Sequence, residues 1–117
     1  MPSKNPAQRL RDIVNNIDAI GVFTAGMERD AFAADRKTIY AVVRARQIVS
    51  EASRRLPVEL KDRHPEVDRI AVAAAGNVYR HEYEGVDENP IWHTVRHGLD
   101  VLRSAAAIEL ERVRGTT

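Results

Sequence analysis

Residues 35–57 read DRKTIYAVVRARQIVSEASRRLP. Ile39, Val42, Val43, Ala45, Val49, Ala52 and Leu56 recur at spacings of three and four, which puts them along one side of a helix. Asp35 stands at the start, where its carboxylate can accept hydrogen bonds from the free N–H groups of the first turn. Pro57 stops the helix, because a proline ring lacks the N–H and blocks the preceding turn. The stretch therefore predicts a long, half-buried helix with a defined beginning and end.

The pattern extends in both directions. Leu10, Ile13, Val14, Ile17 and Ile20 predict a first helix from about Gln8 that weakens at Gly21 and ends over Phe23 to Gly26, with Gly26 as its C-cap. A short turn, Met27 to Ala34, links it to the helix above. After Pro57 a short helix is expected over Val58 to Arg63, and His64-Pro65 marks a boundary because the residue before proline avoids the α region. A third main helix is expected from about Glu66 to Tyr83, with Val67, Ile70, Ala71, Ala74 and Val78 as its buried stripe. Gly85 and Asp87 give a turn. A last helix starts near Asn89-Pro90 and carries Ile91, Val95, Leu99, Leu102, Ala106, Leu110 and Val113. No segment alternates with period two. The expected fold is all-α: one domain over residues 1–117, an antiparallel four-helix bundle with a short extra helix, and a loose tail over 1–6.

Composition agrees with this. The 117 residues are 44% hydrophobic, 30% charged and only 5% aromatic, which favours helices packed on small and aliphatic side chains over a β-sandwich. There is no cysteine, hence no disulfide framework, thiol nucleophile or thiolate metal site. No apolar run approaches the ~20 residues that span a bilayer. The start, MPSKNPAQRLRD, is polar and shows no apolar core of a signal peptide. With no cysteine, a reducing cytoplasm is the expected compartment. Net charge is +1, too small to announce nucleic-acid binding. Its placement is uneven. Asp35 to Arg55 holds Arg36, Lys37, Arg44, Arg46, Arg54 and Arg55 against two acids, whereas residues 82–88 hold Glu82, Glu84, Asp87 and Glu88. Two solvated faces are the ordinary reading of such runs.

Few side chains suggest chemistry. His93 and His97 have a spacing that can hold a metal, but Thr94 stands where an H-E-x-x-H motif needs glutamate, so they read as surface histidines. Trp92 reads as packing at the core edge or at an oligomer contact. Ser50 and Ser53 show no triad pattern, Glu51 reads as a solvent-facing charge, and there is no glycine-rich phosphate loop. The informative stretch is GNVYRHEYEGVD, residues 76–87. On a continuing helix Asn77 and His81 are i, i+4 neighbours, so the amide can orient the imidazole. Arg80 lies ~100° round from His81, close enough to border the same cleft. An imidazole moves protons near neutrality and a guanidinium grips phosphate. Together they suit attack of an RNA 2′-hydroxyl on the adjacent phosphate without a metal. On residue chemistry alone a helix end is the simpler reading, with Arg80 and His81 near the negative end of the dipole and Arg80 paired to Glu84. Gly76, which costs ~1 kcal/mol relative to alanine inside a helix, can admit close approach of another helix.

These residues carry a resemblance. The chain is similar to the HepT-like proteins of the HEPN superfamily, small helical toxins paired with MNT nucleotidyltransferase antitoxins. LRDIVNNIDAIGVFTAGM resembles the family's opening helix, AFAADRKTIYAVVRARQIVSEASRRLP its second, HPEVDRIA the lead into its third, and GNVYRHEYEGVDENPIWHTV its signature. That signature is an Arg, often followed by Asn, with a His four residues after the Arg, then one residue and a Tyr. Asn77, His81 and Tyr83 match it, whereas the Arg position is Gly76 and Arg80 stands one residue before the His. The resemblance implies a homodimer whose two signatures line one RNA cleft. It implies a metal-independent, cofactor-free endoribonuclease cutting tRNA or mRNA, the toxin of a type VII HEPN/MNT pair. The catalytic candidates are then His81, Arg80 and Asn77. It further implies that the MNT partner silences the toxin by adenylylating Tyr83. With Gly76 in place of the motif Arg, the alternative is a catalytically impaired RNA- or nucleotide-binding subunit of the same pair.

Overall fold

The computed structural model describes residues 6–67, 92 and 99–115, and every regular element among them is a helix. Three are long: α1 (Ala7–Phe23), α3 (Arg36–Arg54) and α5 (Leu99–Gly115). Two are short, α2 (Arg29–Ala33) and α4 (Val58–Asp62). Asp35 caps α3 as its position requires. Its carboxylate accepts the Thr38 N–H at 3.1 Å and the Thr38 hydroxyl at 2.8 Å. Those two bonds, the backbone one above all, hold its pKa below the usual carboxylate value. All seven apolar positions expected for α3 are buried.

α1 packs on both α3 and α5. Leu10 and Ile13, early in α1, meet Ser53 and Leu56 from the end of α3, while Ile20 and Thr24, late in α1, meet Leu99 and Asp100 from the start of α5. α1 therefore runs antiparallel to both. Midway, Arg103 donates to Asp18 at 2.6 and 3.1 Å, joining α5 to α1 and holding the Asp18 carboxyl below its usual pKa. Both partners are about half exposed, so the pair contributes little beyond orientation. Leu10, Ile13, Ile20, Phe32, Val42 and Val49 form the centre of the core. Each such side chain, fully removed from water, contributes roughly 1.5–3 kcal/mol.

Three details differ from expectation. Gly26 does not cap α1, whose C-cap is Thr24. It sits at the third position of a turn closed by the Met27 N–H on the Thr24 carbonyl at 3.0 Å, with φ +74°, a conformation that glycine enters without a Cβ clash. The segment Met27 to Ala34 is not a plain turn: it forms α2, which drives Phe32 to full burial. The short helix after Pro57 ends at Asp62, one residue early. The expected third helix, Glu66 to Tyr83, lies outside the described residues except for its first two, and there Val67 N–H closes a turn on the His64 carbonyl at 3.1 Å. The last helix follows its expected stripe from Leu99 to Val113. Its expected start at Asn89-Pro90 lies outside the described residues. None of the helices among the described residues is long and apolar enough to cross a membrane.

Candidate active site

α3 buries more of its circumference than one neighbour demands. At 100° per residue, the positions from Ala52 round to Val43 span about half a turn, whereas a stripe facing one partner needs ~100°. The side of this arc from Ser53 to Val43 carries three buried polar residues. Arg46 is 2% exposed, Ser50 3% and Ser53 7%, in register with Ile39 and Val43 at spacings of four and three. Arg46 is thus removed from the basic surface to which sequence reasoning assigns it. The signal was in its spacing, which places it on the core side whatever its charge. Ser53 lines a narrow apolar pocket of about 30 Å³ with Leu10, Leu56, Leu60, Val67 and Leu102. Among the described residues its hydroxyl has no hydrogen-bond partner.

A second buried polar group lies at the far end of α5. Glu109 is 1% exposed, on the face that also carries Leu102 and Ala106. Arg63 donates to Oε1 at 2.6 Å and to Oε2 at 3.2 Å, His64 Nε2 lies 2.6 Å from Oε2, and Arg112 approaches Oε2 at 3.5 Å. The Arg63 hydrogen bonds, aided by those from His64 and by the two guanidinium charges, hold its pKa down at about 2 against the effect of burial. His64 Nδ1 also lies 3.2 Å from Glu66, so both ring nitrogens are occupied by carboxylates. An imidazole held on both sides is positioned as a tie between α4 and α5. It is poorly placed to take a proton from a substrate. Among the described residues no group of three or more His, Cys, Asp or Glu side chains is arranged to hold a metal ion.

Comparison with known proteins decides the class. The family described as "Ribonuclease HepT-like" matches residues 6–107. The chain belongs to this HepT-like family. It is 36% identical over 94 residues to a Thermococcus cleftensis protein named "Probable ribonuclease HepT", covering 80% of this chain and 86% of that one. Two Methanocaldococcus jannaschii proteins, named in the same provisional way as RNases, are similar at 28% identity over 103 residues (88% of this chain, 85% of theirs) and 34% over 95 residues (81% and 78%). No solved structure matches.

The residues that the HepT-like signature singles out, Asn77, Arg80, His81 and Tyr83, lie outside the described residues, as do Gly76, His93 and His97. The structure describes residues on either side of them. On one side, Val67 packs against the core where α1 begins and α3 ends. On the other, Trp92 packs on Phe32, ring centres 5.1 Å apart and planes tilted by 34°, beside the first turn of α3. The sequence reading that Trp92 packs at the core edge holds. Val67 and Trp92 thus lie toward opposite ends of α3, which is 19 residues, about 28 Å, long.

Proposed function

We propose that this HepT-like chain is a metal-independent endoribonuclease acting on tRNA or mRNA, the toxin of a type VII HEPN/MNT toxin–antitoxin pair. His81 takes the proton of a ribose 2′-hydroxyl as that oxygen attacks the adjacent phosphorus. The 5′-oxygen of the next nucleotide leaves and is protonated, and the products end in a 2′,3′-cyclic phosphate and a 5′-hydroxyl. Arg80 stabilises the charge gathered on the phosphate oxygens, and Asn77 orients the imidazole. Two copies of the chain build the cleft. The MNT nucleotidyltransferase partner adenylylates Tyr83, and the AMP brings bulk and negative charge to a place meant for RNA phosphate. The observation that carries this reading is the family match across residues 6–107, which spans His81 and Tyr83.

Gly76 supports a second reading, in which the fold persists as a binding subunit without cleavage, since it removes a cation from the signature position. Cleavage of tRNA and of an mRNA transcript by the purified chain in EDTA, beside His81→Ala and Arg80→Ala, separates the two. Wild-type cleavage lost in His81→Ala supports the ribonuclease. The same background in all three proteins leaves only the binding subunit. Incubation of wild type and Tyr83→Phe with the MNT partner and labelled ATP tests the modification, and equal labelling of both removes Tyr83 as its target.

A further inference from the structure

The outward half of α3 has a charge that its core packing does not explain. Arg36, Lys37, Arg44, Arg54 and Arg55 are all exposed and fall within a sector of about 100°. The same sector holds one acid, Glu51, which is engaged inside the row: Arg55 donates to it at 2.9 and 3.0 Å, and Arg54 lies 3.5 Å away. The face thus carries a net +4 on a chain whose total is +1. The exposed face of α5 is different, mixing signs and pairing Glu111 with Arg114 at 3.2 Å. Arg44, in the middle of the row, has no ion-pair partner among the described residues. One turn before it stands Tyr40, 43% exposed, with the Arg36 guanidinium donating to its hydroxyl at 2.9 Å and lying 5.6 Å from its ring centre.

A row of cations some 28 Å long with one aromatic ring among them matches a flexible polyanion that carries flat groups. We propose that the outer face of α3 is a docking track for the sugar–phosphate backbone of single-stranded RNA, with Tyr40 as a stacking platform for a base. The proposal rests on the ribonuclease reading for the class of ligand only, and it assigns α3 no part in the chemistry. Phosphate contacts position a nucleic acid without reading its sequence. The track would therefore hold the strand while the signature residues cut it.

The test is binding of the full chain to a fluorescein-labelled, fully 2′-O-methylated single-stranded oligonucleotide, which lacks the nucleophile and cannot be cut. Anisotropy is read across a salt series. The variant is Lys37→Ala/Arg44→Ala/Arg55→Ala, which keeps good helix formers on α3. The control is Arg11→Ala/Arg29→Ala/Arg114→Ala, with the same charge change on other exposed positions. The α3 variant is expected to bind at least tenfold more weakly, with its salt slope reduced by about 2, since each phosphate contact on a single strand contributes ~0.7. The control is expected to stay within twofold. Tyr40→Ala lowers affinity severalfold with the slope unchanged, and Tyr40→Phe retains affinity.

The idea is overturned if the α3 variant binds within twofold of wild type, or if the control loses as much. A changed oligomeric mass of the α3 variant by light scattering also overturns it, since the face is then a protein contact. Should the alanine variant misfold by circular dichroism, the Lys37→Gln/Arg44→Gln/Arg55→Gln variant carries the same expectations. Binding that depends on α3 without wild-type cleavage of unmodified RNA sinks the nuclease reading and leaves the track. Cleavage with α3-independent binding does the reverse.

Discussion

Glu109 and Arg63 stand 46 residues apart in the chain and meet side by side, Arg63 Nη2 donating to Oε1 at 2.6 Å and Nε to Oε2 at 3.2 Å. The carboxylate is buried while the guanidinium stays nearly half exposed, so the pair draws the turn after α4 onto the end of α5. Because the Glu109 pKa falls from 4.5 to about 2 on folding, its contribution is complete above pH ~4.5 and fades as pH drops from 4.5 to 2. Glu109→Gln should cost roughly 1–3 kcal/mol at pH 7. The variant's stability should also fall less steeply than wild type between pH 4.5 and 2, so that the two converge near pH 2. Thermal melts across that range check it. Asp18, Asp35 and Glu66 also have lowered pKa values, but both proteins share them. Parallel curves for the two proteins would remove Glu109 as the origin.

Ser53 offers the opposite case. Its buried hydroxyl faces an apolar pocket and has no partner among the described residues. A buried hydroxyl left unbonded costs about 1–3 kcal/mol, and alanine is also the better helix former. Ser53→Ala should therefore stabilise the chain by roughly 0.5–1.5 kcal/mol, read from urea unfolding at an unchanged slope. A loss of stability would mean that the hydroxyl is bonded after all.

Phe32 is fully buried and supports Trp92, the chain's single tryptophan. Phe32→Ala should cost about 3–5 kcal/mol through the cavity it leaves. It should also shift Trp92 emission to the red as water reaches the indole. Val22 is 74% exposed, so Val22→Ala serves as the comparison and should change neither reading. Unchanged emission in Phe32→Ala would show that the two rings do not depend on each other.

These sites mark how far the sequence alone could be read. α3 was legible to its ends because a capping Asp, a three–four apolar period and a stopping Pro all agree. Phe32 was not, since one aromatic in a five-residue helix has no period to reveal it. Arg46 and Glu109 lie on apolar stripes, but their charge kept them out of any apolar count. Only the fold shows Arg63 beside Glu109, for local spacing records no contact between distant segments. The candidate catalytic residues were legible as a signature, whereas their mutual geometry depends on neighbours that a linear motif does not encode.

The signature's departure at Gly76 leads to the sharpest experiment. On the helix expected over residues 66–83, positions 76 and 80 are i, i+4 and lie on one face, so a guanidinium at 80 can reach the side that the family's Arg serves from 76. If Arg80 has taken that role, Arg80→Ala should lower cleavage of tRNA or an mRNA transcript by ~100-fold or more, the usual loss when one donor to a developing anion is removed. Gly76→Arg should then change the wild type little and restore cleavage in the Arg80→Ala background, because either position supplies the cation. Single-turnover rates of the four proteins decide it, with circular dichroism to check folding. An inactive wild type that gains cleavage from Gly76→Arg would instead show that the chain has lost its cation and that Arg80 does not replace it. Full activity in Arg80→Ala would release Arg80 from any catalytic role.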